Sequence, residues 1–301
     1  MRRNRKARLG DRGFIAATLI PGLAPIFLFF FYPVIYAFYV SFIKYDLTRP
    51  ERNFIGFQNY YKVITSYYFW NSWRVTAEFA IASFVLVVVF AMLTALTLNQ
   101  AFKGQKILQV LVLLPWAIPY VVGGSMWKWM FDATYGVLNA VLYGLGLIPS
   151  YQPWLVDPTI ALILLIIAYV WSEAPLPTLL FLTGLQSVPQ ELYESGLVDG
   201  LNAWQRFRKI TLTWLSPIIL IVFIWETLLA IRQFDMVWVI TAGKPGDATA
   251  LISFFAWRET FSFLDFGRAS ALCYIIVAIS IVFIYLYFRA LKMGSLELKV
   301  R

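Results

Sequence analysis

Residues 191–218 read ELYESGLVDGLNAWQRFRKITLTWLSPI, a stretch of carboxylates, glycines and basic residues in a chain that is otherwise strongly apolar. The apolar run of residues 214–231 begins inside it and approaches the roughly 20 residues that a helix needs to cross a hydrocarbon core. The polar stretch is therefore an interruption between membrane spans. Working outward, comparable runs cover residues 14–42, 75–98, 107–127 and 159–182 before it and 269–288 after it. The reading is an all-α integral membrane protein with six transmembrane helices. Composition agrees: 60% hydrophobic residues and a mean hydropathy of +0.71 exceed what a soluble domain carries, and 14% charged residues fall below it.

Several function classes fall away at this level. The formal charge of +9 is spread along the chain and forms no single basic patch, which argues against nucleic acid as a partner. The chain has no histidine, so Ser-His-Asp, Cys-His and HExxH chemistry are all absent. Its one cysteine, Cys273, allows no intramolecular disulfide and is expected to pack within its apolar run.

Six spans put both termini on one side of the membrane, and the basic arm of residues 1–13 (MRRNRKARLGDRG) assigns that side to the cytoplasm. The arm also fits the basic flank of a signal peptide, but the apolar run behind it is too long and lacks a small-residue cleavage site. Lys103, Lys106, Arg206, Arg208, Lys209, Arg289 and Lys292 fall on the arm's side. The opposite segments are longer and aromatic, as in FIGFQNYYKVITSYYFWNSW from Phe54, which suits an interfacial belt in contact with membrane lipid.

Within the interruption, Pro189 and Gln190 open a short helix, Gly200 permits a turn that a Cβ would resist, and Asn202 caps a second helix. Ala203, Phe207 and Ile210 then share one face, away from Arg206 and Lys209. The result is an amphipathic helix pair too charged to span. It fits a helix lying among lipid headgroups, a docking knob for a cytoplasmic partner or, least well because Asp199 stands between Gly196 and Gly200, a GxxxG contact.

The spacing Glu194, Gly200, Ile210 and Leu212 resembles the EAA loop of permease subunits of binding-protein-dependent ABC importers. ELYE, Asp199, WQRF and Pro217 are similar to its sugar-permease branch, while Ser195, Gly196 and Thr213 depart from the pattern. APIFLFFFYPVIYAFYVSF from Ala24, LPWAIP from Leu114, GLQSVP from Gly184, FDMVWVITAGKPGDATALISFFAWRETF from Phe234 and FGRASA from Phe266 resemble maltose and glycerol-phosphate permeases in the same order. The resemblance implies a type I ABC importer permease fold over residues 14–301, with a coupling loop at about 189–212, in a prokaryotic plasma membrane.

It also implies partners: a second permease in a heterodimer, two ATPase subunits and an extracytoplasmic solute-binding protein delivering a sugar, oligosaccharide or polyol derivative. ATP and Mg would be bound by the ATPase partner. This chain has no GxxxxGK[ST] loop, since GKPGD from Gly243 lacks both the spacing and the Ser/Thr, so it is expected to be non-catalytic and to hold no cofactor or metal. Tyr193, Glu194, Asp199, Gly200, Trp204 and Phe207 are the expected ATPase-coupling residues.

For the solute pathway, Glu173 and Glu226 stand out as ionisable residues in or at the ends of spans. Tyr169 and Glu173 are four apart on one helical face, and Glu226 and Gln233 seven apart on another. Trp171 and Trp225 add stacking surfaces suited to sugar faces. A structural alternative pairs Glu226 with Arg232 and leaves Glu173 at the rim of a span broken at APLP. Cargo could also be a glycerol-phosphodiester; an ion-coupled secondary transporter would need inverted repeats that the two halves do not display.

Overall fold

The computed structural model describes residues 13–14, 18–49 and 51–299, the side chains of 288 and 290–299 excepted. Apart from Gly13, the basic arm lies outside the described residues. In chain order the helices are α1 (Thr18–Val40), α2 (Gln58–Ile64), α3 (Tyr67–Leu98), α4 (Gln105–Ala117), α5 (Tyr120–Met130), α6 (Val137–Gly144) and α7 (Pro158–Glu173). They continue as α8 (Pro175–Gln186), α9 (Gln190–Val198), α10 (Ala203–Arg232), α11 (Asp235–Ile240), α12 (Ile252–Phe261) and α13 (Phe266–Lys299). Among the described residues the only β pairing is two isolated bridges, Ile43 with Phe54 and Asp46 with Asp265.

Four of these helices are long and apolar enough to cross a membrane unbroken, and two bent pairs bring the total to six. The spans predicted at 107–127 and 159–182 are these bent pairs, the second broken within APLP. Between α4 and α5 the chain turns by 96°. The cause is local: Pro119 drives the preceding Ile118 into an extended conformation (φ −86°, ψ 124°), which a helix cannot contain. Between α7 and α8 the bend is 49°, at Ala174, where Pro175 and Pro177 withhold two backbone donors.

Packing resolves the chain into two units, residues 1–66 with 256–278, and residues 67–255 with 279–301. In the first, the FIGFQNY and FGRASA segments meet. Asn59 is buried and donates from Nδ2 to the carbonyls of Ser41 (2.9 Å) and Ile43 (2.8 Å). Gly267 sits so close that a Cβ would stand 2.6 Å from the Ile43 carbonyl and 2.8 Å from Asn59 Nδ2, which is why no larger residue fits there. Glu259 is buried in this unit and pairs with Arg268 at 3.0 Å. Cys273 is exposed on α13 and not packed, because an apolar run leaves one helical face outward.

The second unit is built on α3, α8 and α10. Ala91, Ala95 and Leu98 of α3, Phe181 and Leu185 of α8, and Leu215 and Val222 of α10 form one buried cluster. Small residues bring the helices close: a Cβ on Gly184 would overlap Ile218 Cδ1 and Leu215 Cδ2. α10 is one helix of 30 residues, so the second helix of the polar stretch is the beginning of a span and not a separate element. Nothing between Ala203 and Trp214 breaks it, and it passes through a five-residue π-helical turn at Phe207–Thr211.

Candidate functional site

The polar stretch folds as its residue types dictate. α9 ends in a Schellman arrangement: Leu201 N donates to Gly196 O (2.9 Å) and Gly200 N to Leu197 O (3.0 Å), with Gly200 at φ +75°. Asn202 and Gln205 then form a reciprocal capping box, each accepting at 2.9 Å from the other's backbone N–H. Arg206 Nη1 ties back to Leu201 O at 2.8 Å. Two further links lock α9 and its approach onto α10, Tyr193 Oη to Thr211 Oγ1 (2.9 Å) and Trp214 Nε1 to Ser187 Oγ (3.0 Å).

What this block presents outward is apolar as well as charged. Val198 is 88% exposed and Trp204 66%, with Leu197, Glu194, Asp199 and Gly200 also exposed. Trp204 stacks on Phe207 at 5.5 Å, and Phe207 packs inward against the buried cluster of α3, α8 and α10. Of the three aromatic residues predicted as docking anchors, Trp204 is exposed, and Tyr193 and Phe207 are half-buried. Tyr193 and Phe207 fasten the loop to the spans. Gly196, a departure from the EAA pattern, is buried where a Cβ would lie 2.9 Å from Ile210 Cδ1. Ser195 returns its hydroxyl to Leu192 O; nothing in the structure explains Thr213.

A second constellation lies where α7 breaks. Glu173, its last residue, and Glu226 of α10 are both only 1% exposed, so Glu173 is no rim residue. Each carboxyl receives one tyrosine hydroxyl: Tyr120 donates to Glu173 Oε1, and Tyr169 to Glu226 Oε2 at 3.3 Å. Glu226 therefore bonds Tyr169 and not Arg232, which is exposed. Glu173 Oε2, Glu226 Oε1, Ser172 Oγ and Gln233 Nε2 are buried without a hydrogen-bond partner. Those of the neighbouring Ser172 and Glu173 mark a place for a polar ligand.

Beside Glu173 opens a cavity of about 330 Å³, lined by Pro115–Tyr120 from the α4–α5 break with Ser172 and Glu173 from the end of α7. Its Trp116 and Tyr120 offer aromatic faces beside polar atoms. Of the predicted pathway residues Glu173 lines it, and Tyr169 and Glu226 do not. Trp171 packs edge-on to Trp127 (5.8 Å) and against Gly123, a helix-packing role. Trp225 is partly exposed and faces Glu173. Gln233 lies beyond the end of α10, so the seven-residue face shared with Glu226 does not reach it; its carbonyl accepts from Ser253 Oγ. Tyr120, Trp116 and Ser172 are the residues that sequence reading passes over.

Residues 87–292 match the family of binding-protein-dependent transport system inner membrane components. The chain belongs to that family. As such it is a multi-pass membrane permease subunit. It is 36% identical over 290 residues to the trehalose/maltose transport system permease protein of Thermococcus litoralis, covering 96% of this chain and 95% of that one. It is 32% identical to the sulfoquinovosyl glycerol transport system permease protein of Agrobacterium fabrum, covering 94% and 92%. Its fold superposes with a TM-score of 0.80 on a chain of a bacterial ABC transporter for import of the acidic polysaccharide alginate, at 22% identity and 94% and 96% coverage. The permease subunit therefore has the importer fold that its EAA-like spacing suggests.

Proposed function

We propose that this permease subunit forms half of the pore of an ATP-driven sugar importer, with a second permease as the other half. Two ATPase subunits, which hold ATP and Mg, dock on the loop of residues 189–212. Trp204, Leu197 and Val198 enter the ATPase surface as the apolar anchor, and Glu194 and Asp199 form its charged rim. Both termini lie on that cytoplasmic side, and a solute-binding protein delivers cargo from the other. Cargo passes the cavity at Glu173, where hydroxyl groups meet the unpartnered polar atoms and Trp116 and Tyr120 stack on the sugar faces. The chain binds and gates without making or breaking bonds.

The observation that carries this reading is the continuity of α10: one helix begins at the loop and carries Glu226 of the buried polar cluster. ATP-driven closure of the ATPase pair would move the loop as a rigid body, and the same helix would shift the cluster, as alternating access requires. Relatives named for trehalose, maltose and sulfoquinovosyl glycerol support a sugar-class cargo. Purification of the intact complex from membranes tests the assembly. An ATPase and a second permease should co-purify with this chain, and a complex lacking an ATPase would overturn the reading.

A further inference from the structure

The relatives leave the sign of the cargo's charge open, because trehalose and maltose are neutral whereas a sulfoquinovosyl group carries a sulfonate. The decision falls to the side chains around the cavity. We infer that Glu173 and Glu226 make this pore selective for uncharged, hydroxyl-rich solutes and exclude anionic sugars, an inference that rests on the sugar-importer reading above.

The charge inventory of the site is one-sided. Among the described residues the cavity is lined by one carboxyl, that of Glu173, and by no lysine or arginine. Arg232 is exposed, six residues on from Glu226. Glu226 is instead tied by Tyr169 to the turn of α7 that precedes Glu173. A phosphate, sulfonate or uronate entering here would lose its hydration and meet carboxyls with no countercharge.

Hydroxyl groups meet the opposite situation. The tyrosines hold one oxygen of each carboxyl and leave Glu173 Oε2 and Glu226 Oε1 without partners. An ionised carboxyl accepts from hydroxyls, and a protonated one both donates and accepts; in neither state does it offer a positive charge. Ser172 Oγ on the cavity wall extends the set with a group suited to neutral hydroxyls. The tyrosines thus orient the carboxyls, and the carboxyls set the charge that the pore admits.

The test is equilibrium binding of labelled trehalose and of trehalose 6-phosphate to the assembled transporter, with the binding protein omitted so that only the pore is read. At alkaline pH, where a carboxyl is ionised, trehalose should bind at least about tenfold more tightly than its phosphate, and Glu173→Gln or Glu226→Gln should shrink that ratio at least about threefold by removing the negative charge. Equal or tighter binding of the phosphate, or a ratio unchanged in both variants, overturns the inference while leaving the sugar-importer reading intact. Binding of neither compound overturns both.

Discussion

Gly200→Val isolates the geometry of the loop from its chemistry. A Cβ at this position meets no atom within 4 Å, so the substitution creates no clash, and the burden is the backbone angle of φ +75° alone. Holding a β-branched residue in that region costs about 1–2 kcal/mol. The alternative is to abandon the turn and its two hydrogen bonds, Leu201 N to Gly196 O and Gly200 N to Leu197 O, worth about 1 kcal/mol each. The two costs are comparable, so the turn opens in a large share of molecules: 1–2 kcal/mol lowers the closed-to-open ratio by about 5–30-fold, from about 30 to about 1–6. Transport by reconstituted complexes should fall by up to about half, while membrane insertion, which depends on the apolar runs, is unchanged. Gly200→Asn, which tolerates the left-handed region, should retain most activity. Wild-type coupled uptake by the valine variant would refute the reasoning.

Three further outcomes follow from packing and charge. Tyr193→Phe leaves the buried Thr211 hydroxyl without its partner and should lower stability by about 1 kcal/mol, read as a fall in melting temperature with the fold unchanged. Gly184→Val forces a side chain between Ile218 and Leu215 and should cost about 1–3 kcal/mol by the same measurement. Burial pushes the Glu259 carboxyl above its ordinary value of about 4.5, with Arg268 pulling it back, so the folded chain holds that proton more tightly than the unfolded chain. The resulting stabilisation is complete below about pH 4.5 and is lost as pH rises through the raised folded value. Glu259→Gln should flatten this part of the melting-temperature profile, and an unaltered slope would remove Glu259 as its source.

What the sequence made legible were features set by single residue types or by plain apolarity. The turn at Gly200 and the cap at Asn202 follow from backbone freedom and a short polar side chain, and both are present. The apolar runs are visible because a bilayer demands length. Hydropathy counting, however, is blind to an X-Pro junction inside an apolar run, so the 96° break at Ile118–Pro119 passes unseen although the proline is in plain view. The same break explains why Tyr120 was missed: it meets Glu173 across 53 positions, a pairing made by tertiary packing. Gln233 misled in the opposite way, since a seven-residue spacing means a shared face only if the helix continues, and α10 ends at Arg232.

The unbroken run of α10 also fixes a mechanical property. From Asn202 to Glu226 the helix rise amounts to about 36 Å, so a tilt of about 10° pivoted at one end displaces the other by about 6 Å, more than the length of a hydrogen bond. A lever of that length gives only at Pro217, which removes one helical hydrogen bond, and at the π-helical turn of Phe207–Thr211, beside the loop. A small rotation imposed there is geared up at the far end, where a few ångströms suffice to part Glu226 from Tyr169.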